Sequence, residues 1–167
     1  MAKLQLLPLL AALCLSLAGA ALAARRVDLA IPTFVVEGRV YCDTCRAGFE
    51  TSASKYIEGA KVKLECKHFD SGAVEHTSEG VTDATGTYHI EVEHNHEEEI
   101  CEVVLVKSPM SGCTEVDGDR SRARVLVSGR SGLATEIRYT NSLGFLKSQP
   151  LPECGLLLQQ YALGVDE

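Results

Sequence analysis

Strict alternation of apolar and polar residues marks two segments of the chain as half-buried β-strands. The alternation runs through residues 60–66 and returns in residues 87–93. Successive side chains of a strand point to opposite faces of its sheet, so each segment predicts a strand with one face in the core. The side chains predicted to face inward are those of Val62, Leu64, Cys66, Tyr88, Ile90 and Val92.

Other segments predict strands of different kinds. Residues 101–107 are apolar on both faces, which indicates a central strand. Residues 33–41 are rich in β-branched and aromatic side chains and predict a strand, with Gly38 as a possible bulge. Residues 73–79 predict a polar edge strand, and two shorter strands are predicted at 123–128 and 136–140.

The connections between these strands indicate the fold class. Residues 82–86 predict a turn in which Gly86 has a positive φ, and residues 46–59 predict a long loop. Seven short strands joined by such turns are typical of an all-β fold, a small antiparallel β-sandwich or barrel. Residues 155–163 are compatible with a short helix or with a further strand.

The first residues differ from the rest of the chain. A charged start at Lys3 is followed by an apolar run and then by small residues ending in Ala21-Leu22-Ala23. This order predicts a secretory signal peptide over residues 1–23, with cleavage after Ala23 or one residue later. A membrane anchor is the alternative, because the apolar run approaches spanning length. Residues 24–167 would then form a single β domain.

Composition and charge exclude some classes of ligand. The 167-residue chain has a net charge of −7, and removal of residues 1–23 would delete Lys3 and no acidic residue, which leaves −8. This acidic balance disfavours nucleic acid, whose phosphates attract Lys and Arg. Aromatic residues are only 5% of the chain, and Trp is absent, so a stacking platform for bases or sugars is poorly supplied.

The cysteines point to an oxidising compartment. Cys14 lies in the predicted signal peptide, and six cysteines remain, which predicts three disulfides. Spacing alone does not select one of the 15 possible pairings. The Cys42-Asp43-Thr44-Cys45 string has the spacing of a redox pair or of half a zinc site. We interpret it as structural, because no helix is predicted after it and no second such pair exists.

The same string lies inside a dense motif. From Glu37 to Arg46 it resembles the signature of the Ole e I-like family of secreted pollen proteins, and the resemblance extends from about Phe34 to Tyr161. Runs such as residues 98–105 are similar to the grass-pollen branch. The signature residues are Glu37, Gly38, Arg39, Val40, Tyr41, Cys42, Asp43, Thr44, Cys45 and Arg46.

The resemblance implies a secreted, β-rich protein without enzymatic activity, and an allergen. It implies the pairs Cys42–Cys113, Cys45–Cys154 and Cys66–Cys101. It also implies a role in pollen hydration, germination or pollen-tube growth, with an extracellular protein such as a pollen receptor kinase as partner. Some relatives carry an N-glycan, but neither Asn95 nor Asn141 begins an Asn-x-Ser/Thr acceptor, so none is expected here.

Two polar groups could carry chemistry. The first is an acidic, histidine-rich segment, interpreted as a solvated hairpin tip rather than a metal site, so no metal or other cofactor is expected. The second is Arg120, Arg122 and Arg124, which would share a strand face and contact an anionic wall polysaccharide or protect a sheet edge. The histidine-rich segment contains His89, Glu91, Glu93, His94, His96, Glu97, Glu98 and Glu99.

Catalytic templates do not fit the sequence. Residues 129–133 miss the spacing of a nucleophile elbow, and phosphate-loop and zinc-protease motifs are absent. Two alternatives to the pollen role stay open. One is a protease inhibitor that presents Lys107 or Arg120 from residues 107–122, and the other is a module that binds cell-wall polysaccharide.

Overall fold

The structure is a computed structural model, and it describes residues 31–162. The predicted signal peptide and its cleavage site lie outside the described residues. The described residues form ten strands and one helix: β1 (Thr33–Asp43), β2 (Lys55–Tyr56), β3 (Lys61–His68), β4 (Val74–Val81), β5 (Thr87–Glu93), β6 (Glu99–Lys107), β7 (Cys113–Val116), β8 (Arg122–Val125), β9 (Ile137–Tyr139), β10 (Leu143–Lys147) and α1 (Cys154–Ala162).

The long strand β1 organises the first sheet. Its first half pairs antiparallel with β5 and parallel with β9. Its second half pairs antiparallel with β2 and parallel with β10, which continues to β7. The eleven residues of β1 therefore connect two groups of strands.

The second sheet is antiparallel throughout, in the order β4-β3-β6-β8. The polar strand β4 lies at one edge, as predicted, and the apolar β6 lies in the interior of the sheet. Cys66 of β3 lies opposite Cys101 of β6, and the two are joined by a disulfide.

Both sheets contribute to one hydrophobic core. The six side chains predicted to face inward from residues 60–66 and 87–93 are all buried. They pack with apolar residues of β1, β6 and β10 in the same cluster. No helix in the described part of the chain has the length and apolar character needed to cross a membrane.

The all-β class and the disulfide-tied, mainly antiparallel architecture are confirmed, and all seven predicted strands are present. Three strands were missed, namely β2, β7 and β10, and the described part of the 155–163 segment lies in the helix α1. The predicted bulge at Gly38 was wrong, because Gly38 pairs in unbroken register with Tyr88. Gly86 has the predicted positive φ, at 75°.

Candidate functional site

The signature segment lies at the second half of β1 and in the turn that follows. The carboxylate of Asp43, which is buried, accepts hydrogen bonds from the backbone N–H groups of Cys45 (3.2 Å) and Gly48 (2.8 Å). Thr44 donates its hydroxyl to the carbonyl of Ala53 (2.9 Å). These bonds fix the path of the loop after β1, so Asp43 and Thr44 have a structural function.

Two disulfides extend this junction. One joins Cys42 to Cys113 at the start of β7, with 6.0 Å between Cα atoms. The other joins Cys45 to Cys154 at the start of α1, with 5.3 Å between Cα atoms. Both closely spaced cysteines are therefore bonded to distant parts of the chain, and this arrangement leaves no dithiol pair in the string.

Other signature residues also contact the protein interior or neighbouring strands. Arg46 has a left-handed backbone (φ 54°), and its Nη1 donates to Glu115 Oε2 and to the carbonyl of Lys147, both at 2.7 Å. Glu37 Oε2 lies 3.1 Å from His89 Nε2, directly across the β1–β5 pair. The signature is thus a structural junction of strands, loop and helix.

The histidine-rich segment forms one wall of a cleft of about 620 Å³. His94, with φ 70°, turns the chain after β5 and brings His96 under the surface. His96 is only 8% exposed, so its interpretation as part of a solvated tip was wrong. The cleft is lined by Thr33, Glu75, His76, Glu91, Glu93, His94, Asn95, His96 and Glu99.

Strand β4 supplies a histidine of this cleft that the sequence analysis did not single out. The ring of His76 lies 5.0 Å from that of His96, centre to centre. Burial lowers the pKa of His76, and the nearby His96 lowers it further, while the Glu99 carboxylate opposes both effects. His76 is 20 residues from His96 in the sequence, and only the packing of the second sheet brings them together.

The three arginines do not form one face. Arg122 and Arg124 both pair with Glu102 of the neighbouring strand β6, at 3.0 and 3.3 Å. Arg120 precedes β8, and its Nε donates to the carbonyl of Gly48 at 2.6 Å. Arg120 therefore does not share the predicted face and does not project freely as an inhibitor residue would, whereas Arg122 and Arg124 lie on β8 at the edge of its sheet, as the edge-protecting interpretation expects.

An exposed apolar patch lies beside strands β8 and β9. It is formed by Leu126 (58% exposed), Leu133 (55%) and Tyr139 (68%), around a depression of about 230 Å³ that Val125 also lines. We call these four residues the apolar patch. Sequence reasoning missed it, because these residues are scattered through two strands and a loop.

A buried arginine holds the loop that carries Leu133 of this patch. Arg138 is 3% exposed, and its guanidinium donates to the carbonyls of Ser128 (2.8 Å), Ile137 (3.1 Å) and Thr135. It also lies 4.7 Å from the centre of the Phe34 ring, a cation–π distance. Arg138 therefore positions the 128–135 loop against β1.

Comparison with known proteins places these features in context. Residues 32–162 match the family model described as "Pollen protein Ole e 1 like". Over 133 residues the chain is 55% identical to "Pollen-specific protein C13" of Zea mays, covering 80% of this chain and 78% of that protein. Over 131 residues it is 50% identical to "Major pollen allergen Lol p 11" of Lolium perenne, covering 78% and 98%.

A solved structure is also similar. The crystal structure of the major plantain pollen allergen Pla l 1 matches with a TM-score of 0.66 and 32% sequence identity. The match covers 73% of this chain and 99% of that one. The β architecture described above is therefore shared with an experimentally determined structure.

Proposed function

The chain belongs to the Ole e 1-like family of pollen proteins, and from this premise we propose that it is a secreted, non-enzymatic protein that binds an extracellular protein. The binding would serve pollen hydration, germination or tube growth, with the outer domain of a pollen receptor kinase as the expected kind of partner. Secretion through a signal peptide at residues 1–23 is part of this proposal. The allergen names of relatives support an allergenic role as well.

The apolar patch is the observation that carries the proposal. Its three most exposed members present large apolar side chains to solvent, and one of them, Leu133, lies on the loop that Arg138 fixes. Contiguous exposed apolar surface on a soluble protein marks an interaction site when polar residues surround it. Arg124, whose side chain is 77% exposed, lines a neighbouring depression together with Val125 and Leu126 and so borders the patch.

The composition of the patch indicates the chemistry of the partner. Tyr and Arg are enriched at protein–protein contact sites, because each combines a large contact area with hydrogen-bonding groups. Arg130, whose side chain is 87% exposed and pairs with Glu97 at 3.3 Å, adds a second guanidinium, on the 128–135 loop. A protein with an apolar projection and an acidic rim would complement this surface.

Saturation binding to pollen-tube membranes tests the proposal. The double substitution Leu133→Asp/Tyr139→Asp places two charges in the patch and should weaken binding at least about tenfold, since central contacts each contribute on the order of 2 kcal/mol. Phe69→Asp/Leu156→Asp is the matched control, because both residues are exposed (61% and 73%) and lie outside the patch. The control should bind like the parent protein.

Treatment of the membranes identifies the class of partner. Protease treatment should abolish binding, whereas pectin-degrading enzymes should leave it intact. Binding that survives protease treatment but is lost after the pectin is degraded would favour the wall-polysaccharide alternative and contradict the proposal. Equal binding by the patch variant and the parent protein would show that the apolar patch is not the binding surface.

A further inference from the structure

The cleft beside β4 contains a group of side chains that the proposed binding role does not use. Three of them belong to different segments: His76 to β4, His96 to the β5–β6 loop and Glu99 to the start of β6. Imidazole nitrogens and carboxylate oxygens are ligands that divalent transition metals accept. Together the three side chains form a candidate site for a cation.

Both ring nitrogens of His96 face oxygen atoms that can only accept a hydrogen bond. Its Nε2 lies 3.1 Å from the carbonyl oxygen of Glu93, which can only accept. Its Nδ1 lies 3.0 Å from Glu99 Oε1, an oxygen of a carboxylate that also accepts. A neutral imidazole donates from one nitrogen only, so one of these two contacts requires an additional cation, which is either a proton or a metal ion.

Two further buried atoms of this cleft have no hydrogen-bond partner. They are Nε2 of His76 and Oε2 of Glu99. A buried polar atom without a partner is unfavourable, so such atoms are rare in native structures. Both atoms belong to residues that line the same cleft, and both residue types can donate a lone pair to a metal.

The spacing of the rings matches that of two histidines on one ion. The ring centres of His76 and His96 are 5.0 Å apart. Two imidazoles bound to a tetrahedral ion at 2.0–2.1 Å have centres roughly 5 Å apart. A ligand atom of Glu99 lies within 4.8 Å of one from His96, whereas His76 lies outside this group, so the His76 side chain would have to turn toward the ion on binding.

From these contacts we propose that His76, His96 and Glu99 bind one divalent transition-metal ion, of which Zn²⁺ is the first to test. The fourth position would be open to water or to His94, which lines the cleft. The nearby Cys66 and Cys101 have sulfurs within 4.8 Å of the His96 and Glu99 ligand atoms, but their disulfide keeps them from acting as thiolate ligands. The ion would link the edge strand β4 to the β5–β6 loop.

Calorimetric titration of the mature, oxidised protein with ZnCl₂ tests the site. The protein is first freed of metal with a chelator, and a thiol assay confirms that no free cysteine is present. One ion should bind per chain. His76→Gln and Glu99→Gln should each weaken binding at least about tenfold, which is the loss that altered ligand support alone can cause.

The matched control is His89→Gln. His89 is an exposed histidine of β5 that pairs with Glu37 outside the cleft. This control should bind Zn²⁺ like the parent protein. His96 is left unchanged because its burial would make a folding defect hard to separate from a binding defect, and thermal melting confirms that the other variants are folded.

Cobalt gives an independent readout. Co²⁺ in the site should show visible d–d absorption without a sulfur charge-transfer band, and His76→Gln should remove the absorption. Absence of Zn²⁺ binding would overturn the proposal and leave a proton as the shared cation. Binding that His89→Gln weakens as much as His76→Gln, or that neither cleft substitution weakens, would also overturn it.

Discussion

Gly38 shows how the absence of a side chain in β1 lets a residue of β5 reach the segment that follows β9. The phenol of Tyr88 crosses over Gly38 and shares a 2.6 Å hydrogen bond with the hydroxyl of Thr140. A Cβ at Gly38 would lie in severe overlap with both hydroxyl groups. The glycine of the signature is therefore required by close packing, and its backbone needs no unusual φ.

Gly38→Ala should lower the free energy of unfolding by about 1–3 kcal/mol, the usual cost of forcing extra atoms into a packed interior. Gly155→Ala is the matched control, since nothing lies within 4 Å of its Cβ position in α1. There alanine should be neutral or stabilising by up to about 1 kcal/mol. Urea denaturation measures both, and equal effects at the two positions would contradict the packing argument.

Tyr88 should give the protein a distinct loss of stability in alkaline solution. Burial raises its pKa from 10.0 to about 12, and the hydrogen bond with Thr140 opposes this only in part. The unfolded chain therefore ionises first, so the contribution is fully present below pH 10 and is lost as the pH rises toward 12. By pH 11 the loss from this group is about 1.4 kcal/mol.

Urea denaturation at pH 9 and pH 11 measures this loss. Tyr88→Phe removes the ionisable group and should show a correspondingly smaller decrease between the two values. Tyr139→Phe, at an exposed tyrosine, controls for general alkaline effects. If the decrease is the same in Tyr88→Phe and the parent protein, burial of this phenol does not explain the alkaline behaviour.

Among the larger elements, β3 and β6 are joined both by their ladder and by the Cys66–Cys101 disulfide. Because the bridge closes a loop of 35 residues, the double substitution to Ala should lower the free energy of unfolding by about 4 kcal/mol in the chain-entropy model. Peptide mapping under non-reducing conditions gives the pairing directly. A fragment that joins Cys66 to Cys42 or Cys113 would contradict this arrangement.

Strands with a regular pattern could be predicted from the sequence, and strands made by tertiary pairing could not. Residues 60–66 and 87–93 show a period of two because one face of each is buried. β7 has three exposed residues among its four, and β2 has only two residues, so neither presents such a pattern. β10 has three consecutive buried residues, and its pairing with β1 is a parallel contact between distant segments.

The candidate sites follow the same rule. Neither the apolar patch nor the cleft is contiguous in the sequence. The burial of His96 follows from a backbone bond, since its N–H donates to the carbonyl of Val127 at 2.9 Å. A polar string of histidine and glutamate gives no sign of such a contact, and the sequence therefore indicated a solvated tip.

For the whole molecule, the disulfides and the signature have one consequence in common: they hold a small β framework on which a binding surface can be presented. The cleft is lined by acidic side chains of β4 and β5, whereas the apolar patch is flanked by arginines. The backbone bond from His96 to Val127 connects the two regions through the start of the 128–135 loop. In the proposed function, the signature residues stabilise the fold and the apolar patch recognises the partner.

Site-specific photo-crosslinking tests this assignment most directly. A photoreactive residue is placed at Leu133 in the patch, or at Leu156 in α1 as the control, since both positions are exposed. On pollen-tube membranes, the Leu133 probe should form a discrete adduct with a membrane protein that excess unlabelled parent protein suppresses, and the Leu156 probe should not. The same adduct from both positions, or none that competes from Leu133, would contradict recognition through the apolar patch.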